Sequence, residues 1–215
     1  MSRPLLICDC DEVLLHMVRH FRTWLAEAHQ LDLAIGADGG LGRVRTADGG
    51  PVEPARMMGL LGGFFPAEMA RQTLVPHAAE TLAVLGEEAD IVILTNLQDH
   101  CRDPRIEQLA AHGIAHRVEC NQGGKGGPVA KLVAEHGDPV TVFVDDIAHH
   151  HESVARHAPG VHRLHMISEP ELAPHVPPAP QAHARIDDWR EAAVWIRDRF
   201  AAGVPAAAIA PADAE

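Results

Sequence analysis

The sequence predicts an α/β protein built on a doubly wound parallel sheet. Three observations carry this. Residues 5–8, 91–94 and 140–144 are almost continuously apolar, as strands covered on both faces are. Helical patterns separate them, and strands joined by crossover helices make a parallel sheet. Each run stops at polar residues, Asp9-Cys10-Asp11, Thr95-Asn96 and Asp145-Asp146, at the strand ends where such sheets bind ligands.

The elements follow in order. After the strand at 5–8, a helical pattern covers 14–31, with Leu14, Val18, Phe21, Leu25 and Ala28 on one face. Residues 36–63 are glycine-rich and aperiodic, with Gly39-Gly40, Gly49-Gly50-Pro51 and Gly62-Gly63, and read as loop or a small lid. A short helix is expected over 64–71. Pro76 opens the next helix, which runs through Leu82 and Leu85. Beyond the strand at 91–94, a helix spans 104–112 and stops at Gly113. A weak strand lies at 116–119. Pro128 opens a helix that Gly137 closes. After the strand at 140–144, residues 149–157 are helical and 162–167 form a fifth strand. A proline-rich link covers 170–180. Residues 187–200 form a last amphipathic helix carrying Trp189, Val194, Trp195 and Ile196, expected to pack and not to bind. The end, residues 203–215, is rich in Ala and Pro and is expected to be disordered.

Composition narrows the function. A chain of 215 residues is one domain with room for a small insert. A net charge of −12 disfavours a nucleic-acid backbone or an anionic membrane as partner. No apolar run approaches the ~18–20 residues of a membrane helix. The N-terminus reaches Asp9 too soon for a signal peptide. The four Cys contain no CxxC pair, so a reduced, cytoplasmic protein is expected. Only two lysines are present, Lys125 and Lys131, so any lysine chemistry has two candidates.

The polar strand ends suit one task. Asp9, Asp11, Asp145 and Asp146 offer oxygen ligands for a hard cation such as Mg²⁺. Thr95 and Lys125, the latter within Gly123-Gly124-Lys125-Gly126-Gly127-Pro128, offer donors to a dianionic phosphate. A carboxylate beside the metal is a candidate nucleophile, and a second one two residues on can protonate a leaving group.

These residues resemble the motifs of the haloacid dehalogenase (HAD) superfamily of phosphohydrolases. The first, DxDx(T/V), reads Asp9-Cys10-Asp11-Glu12-Val13; the second is Thr95; the third is Lys125; the fourth is the pair Asp145-Asp146. The resemblance implies a Rossmann-like core of residues 1–15 and 75–202. A small, mostly helical cap insert over 16–74 would cover the site. It implies a Mg²⁺-dependent phosphatase acting on a small phosphorylated metabolite. Asp9 would form the aspartyl-phosphate and Asp11 would act as acid and base. Thr95, helped by groups around Asn96, would bind the phosphoryl oxygens, and Lys125 would neutralise charge. Mg²⁺ would be held by Asp9, the Asp11 backbone carbonyl, Asp145 and Asp146. Glu12 departs from the pattern, because many members carry Gly there; it reads as a tolerated variation or a group reaching toward the substrate.

Other readings are weaker. Dehalogenases lack the second acid, which is present here as Asp11. Phosphonate cleavage needs a lysine in the cap, and none lies between residues 12 and 94. A phosphomutase or other phosphotransferase keeps Asp11 and stays open, though such enzymes usually carry a larger cap. Receiver domains place their acidic pair before the phosphorylated Asp, not last. A P-loop needs Ser or Thr after its Lys, and Gly126 stands there. A catalytically idle binding module would have lost a catalytic residue, and none is missing. His149-His150-His151 read as polar residues in a first helical turn, since neighbouring helical side chains diverge. His16 and His20 read as solvated or substrate-facing. Cys10, between the two acids, raises the question of oxidation sensitivity. Arg19, Arg22, Arg43, Arg45 and Arg56 are candidates for a second anionic group on the substrate, and Met57, Met58, Leu60, Leu61, Phe64 and Phe65 for a lid.

Overall fold

The apolar runs assemble into the middle of a six-stranded sheet. The computed structural model describes residues 2–36 and 42–209, so Gly39-Gly40 and the last six residues lie outside the described residues. In chain order the elements are β1 (Leu5–Cys8), α1 (Val18–His29), β2 (Leu31–Ala34), β3 (Arg43–Thr46), α2 (Pro54–Glu68), α3 (Ala78–Glu88), β4 (Asp90–Thr95), α4 (Arg102–Ala111), β5 (Arg117–Cys120), α5 (Gly126–Glu135), β6 (Thr141–Asp145), α6 (Ala148–His157), β7 (His162–His165), β8 (Ala184–Arg185) and α7 (Trp189–Ala202). The sheet order is β5-β4-β1-β6-β7-β8, every pair parallel.

Alternate residues of the central strands feed two cores. Leu6, Cys8, Ile91, Ile93, Val142 and Val144 pack with Leu82, Leu85, Leu109 and Ile196, under α3, α4 and α7. Leu5, Ile7, Val92, Leu94 and Phe143 pack with Val129, Leu132 and Val154, under α5 and α6. The sheet is therefore doubly wound, and its central strands read as apolar runs because both faces are covered. Cys8 is level with Ile93 on one side and Val144 on the other. Asp9, Thr95 and Asp145 thus leave the sheet together at one edge.

An insert of α1, the antiparallel pair β2–β3 and α2 separates β1 from α3. It has its own apolar cluster, in which Phe64 meets Phe21 at 5.2 Å and Trp24 at 5.7 Å between ring centres. Here the structure departs from the expected loop over 36–63. Helix α2 runs through Gly59, Gly62, Gly63 and Pro66. A glycine costs a helix ~1 kcal/mol, and burial of Leu60 and Phe64 against α1 offsets it. The hairpin alternates in burial, Leu31 and Leu33 in and Asp32 out, but over only four residues. Helix α1 starts at Val18 rather than Leu14, because residues 14–16 pair with another segment: Val75 N–H donates to Leu14 O at 2.8 Å, and His16 N–H to Thr73 O at 2.9 Å. The fifth strand ends at His165, two residues early, and Ile167 N–H donates to the Asp187 carboxylate instead. Part of the tail expected to be disordered is fastened: Ala206 N–H donates to Gly160 O, and His162 and His183 bond the carbonyls of Val204 and Ala207. No described helix is long and apolar enough to cross a membrane.

Candidate active site

Lys125, immediately before α5, is fully buried and lies between two carboxylates. Its Nζ is 2.6 Å from Asp9 Oδ1 and 2.7 Å from Asp145 Oδ2. Burial acts to discharge this ammonium, but Asp145 and Asp9 outweigh it and hold its pKa above the usual lysine range. Asp9 responds to the same crowding. Burial raises its carboxyl to about 6, with Lys125 opposing and Asp145 adding to the rise. Burial also acts against ionisation of Asp145, yet Lys125 and His150 hold it well below the usual carboxylate range. For Asp146 the balance falls the other way: burial and then Asp145 push it well up, against a weaker pull from Lys125. Lys131 is exposed and pairs only with Glu135, at 3.7 Å.

Two adjacent histidines fix Asp145. Asn96 Nδ2 donates to Gly123 O at 2.9 Å and contacts His150 Nε2 at 3.2 Å. A carbonyl only accepts, so the amide is oriented, His150 Nε2 accepts, and His150 Nδ1–H points at Asp145 Oδ1, 2.9 Å away. His151 Nε2 donates to the Asp145 backbone carbonyl at 3.0 Å. Both rings are buried, unlike the polar first-turn residues expected from the sequence. The signal for His150 was its phase: it shares the buried face of α6 with Val154, four residues on. Asn96 spends its side chain holding loops together, since Asn121 Nδ2 donates to its Oδ1 as well. Thr95 is buried at the end of β4, immediately before Asn96.

Asp11 has a separate cation that sequence reasoning missed. Arg105 Nη2 reaches Asp11 Oδ1 at 3.0 Å and Oδ2 at 3.2 Å, and Gln72 Nε2 donates to Oδ1 at 2.9 Å. Oδ2 is the less occupied oxygen. Arg105 is wholly buried in α4, one turn before Leu109 and on its face. That phase was its only trace in the sequence. Its guanidinium also meets the Cys10 thiol at 3.2 Å and lies 5.8 Å from the Phe65 ring. Cys10 itself is buried, and burial raises its thiol to about 12, away from the reactive thiolate form.

Glu12 occupies a left-handed position, φ 61°, where glycine is most at ease. Its Oε1 accepts from Met17 N at 2.6 Å and Val18 N at 2.5 Å, capping the start of α1. Burial raises its carboxyl to about 7. It stands with His16 and Glu169 in a buried group of metal-ligand type. Arg19 engages both Glu169 oxygens, and burial lowers His16 to about 4. His20 Nε2 instead meets Thr73.

Asp9, Asp145 and Asp146 bring carboxylate oxygens within 4.8 Å of one another. All three donors are carboxylates, and an all-oxygen donor set suits Mg²⁺. The residues therefore fit the ion. Above them is a cavity of about 350 Å³ lined by Asp9, Asp11, Thr95, Asp146 and the insert. None of Arg19, Arg22, Arg43, Arg45 and Arg56 lines it; Arg19 and Arg22 instead pair with Glu169 and Glu171.

No family model matches the sequence, and no curated protein matches it. Solved structures do. A HAD family hydrolase from Deinococcus radiodurans R1, with bound phosphate and sodium, aligns at TM-score 0.59 and 16% identity over 91% of this chain and 95% of its own. The chain has the HAD hydrolase fold. The HAD-hydrolase YfnB of Bacillus subtilis, bound to magnesium, shares this fold at TM-score 0.62 and 13% identity, over 91% of this chain and 99% of its own. So does a Haemophilus somnus 129pt protein described as a predicted phosphoglycolate phosphatase. It aligns at TM-score 0.59 and 15% identity, over 90% of this chain and 97% of its own. Within the HAD fold, the motif positions Asp9, Thr95, Lys125 and Asp145 sit at one sheet edge.

Proposed function

We propose that the protein is a Mg²⁺-dependent phosphomonoester hydrolase that works through an aspartyl-phosphate on Asp9, with the insert as its cap. The observation that carries this is the division of the two acids: Asp9 shares a buried ammonium with the carboxylate cluster, while Asp11 is held by another cation at the cavity floor. Solved structures of the same fold with bound phosphate or magnesium support the reading.

The residues then have distinct roles. Asp9 attacks phosphorus through the oxygen that Lys125 does not hold. Lys125 orients Asp9 and neutralises charge that builds on the phosphoryl group. Thr95 donates a hydrogen bond to a phosphoryl oxygen. Asp11, through Oδ2, gives a proton to the departing oxygen and takes one from the water that hydrolyses the intermediate. Arg105 and Gln72 fix the direction of Asp11. Asp9, Asp145, Asp146 and the Asp11 carbonyl would hold Mg²⁺, which supplies further charge neutralisation when bound.

Hydrolysis of an aryl phosphate in Mg²⁺, lost in excess chelator, tests the reading. Full activity in chelator would overturn the metal's part, and phosphoenzyme formation by Asp9→Asn would overturn the nucleophile. Transfer of the phosphoryl group to an added alcohol in preference to water would favour a phosphotransferase.

A further inference from the structure

We infer that the cavity above Asp9 is a subsite for an uncharged, apolar leaving group. The substrate is then a phosphomonoester of an alcohol with a hydrocarbon body and no second anionic group. The inference rests on the phosphatase reading and concerns which esters that site accepts.

The walls carry the argument. Met17, Met58, Leu61 and Phe65 from the insert face Leu97 and Ile147 from the core. Asn96, Gln98 and Gln122 add neutral amides, and His100 and His150 imidazoles. Among the described lining residues there is no lysine or arginine, while Asp9, Asp11, Glu12 and Asp146 are all acidic. A carboxylate or second phosphate on the leaving group would meet acidic side chains and hydrocarbon, with no fixed cation to replace the water it loses. The nearest cations are committed: Lys125 lies between Asp9 and Asp145, Arg105 on Asp11, and Arg19 on Glu169. A hydrocarbon body meets the opposite situation. Met58 is 69% exposed although it lines the cavity, so a ligand can cover it. Methionine side chains adapt to differing shapes, so polarity should be selected more strictly than length. Phosphoglycolate, the substrate in the Haemophilus protein's description, carries a carboxylate and falls outside this class.

The reaction balances with such an ester. The Asp9 O–P bond forms as the P–O bond to the alcohol breaks, and the departing oxygen takes its proton from Asp11. Water then attacks phosphorus, Asp11 recovers a proton, and inorganic phosphate and Asp9 carboxylate are released.

The experiment compares kcat/KM for hexyl phosphate and for its analogue ending in a carboxylate, in Mg²⁺, for wild type and Met58→Arg. Wild type should prefer the hexyl ester by ~10²-fold or more. Met58→Arg, at an exposed position that puts folding at little risk, should improve the carboxylate ester by ~10-fold and lower the hexyl ester. Equal rates on both esters in wild type, or a preference for the carboxylate, would overturn the inference and leave the phosphatase reading intact. Absence of hydrolysis of either ester, and of an aryl phosphate, would overturn the phosphatase reading itself.

Discussion

The two walls of the site are made of different material. The sheet edge is charged, largely buried and mostly paired: Lys125 is shared by Asp9 and Asp145, His150 and His151 hold Asp145, and Arg105 holds Asp11. The wall from the insert is hydrocarbon and partly exposed, and the nearest charge to it that the structure shows is Arg105, over the Phe65 ring. Removing one member of a buried charge network leaves another charge unpaired, which is costly. Trimming a partly exposed methionine leaves nothing unpaired. On the proposed reading the contrast separates chemistry from selection: the first wall should tolerate little change, while the second should be alterable without disturbing the reacting groups.

The largest effect should come from the most enclosed charge. Lys125→Ala should lower stability by ~3–5 kcal/mol and turnover by ~10³-fold or more, read by urea denaturation and steady-state kinetics. Lys131→Ala should change stability by less than ~0.5 kcal/mol. Equal losses in both would break the contrast at its root. Next comes Asp11→Asn. It should cut the first step on an alkyl phosphate by ~10²–10⁴-fold relative to an aryl phosphate, because a phenolate leaves without a proton. On the aryl ester, rapid quench should show a burst near one per site followed by slow turnover. Equal losses without a burst would reduce Asp11 to an orienting group. Arg105→Lys should then lower kcat more than KM, since it misaligns Asp11 without emptying the cavity; a pure KM effect would place Arg105 on the substrate.

A fourth effect depends on pH. Burial lowers His151 to about 4, so its folded form resists protonation. Its contribution to stability is whole above the unfolded value near 6.5 and is lost as pH falls toward 4, by up to ~1.4 kcal/mol per unit. Urea midpoints of wild type should fall more steeply than those of His151→Gln over that range, and parallel curves would refute the assignment. The smallest effect belongs to the other wall. Met58→Ala should leave stability within ~0.5 kcal/mol and raise KM for an apolar ester several-fold with little change in kcat.

The same contrast explains what the sequence disclosed. Strands β1, β4 and β6 were legible because burial on both faces writes a continuous apolar run, and the polar residues that end them form the candidate site. Residues 54–63 of helix α2 were not, because Gly59, Gly62 and Gly63 read as loop, whereas its end fell within the short helix expected over 64–71. What overrides the glycines is contact of Leu60 and Phe64 with α1, which no local pattern encodes. The hairpin β2–β3 and the pair Ala184–Arg185 are too short for their alternation to register. Arg105 and His150 were hidden by residue type. Each sits one turn from a buried aliphatic, Leu109 or Val154, so helical phase located them, but a charged or polar side chain is discounted when a core is sought. Glu12 looked like an exception to a glycine position. The backbone does take the left-handed turn there, and the carboxylate compensates by capping α1.

The route by which the chain enters and leaves the insert has a mechanical consequence. Residues 14–16 going out and 73–75 coming back are stitched together by main-chain bonds, Leu14 to Val75 and His16 to Thr73. Gln72, on the returning strand, also holds Asp11. The insert therefore hangs from a two-ply neck rather than from two independent swivels. A ribbon of this kind resists shear between its plies and yields to twist and bend. Any opening of the cavity by rotation about this neck pulls on Gln72, which makes the direction of the Asp11 carboxylate sensitive to whether the site is closed.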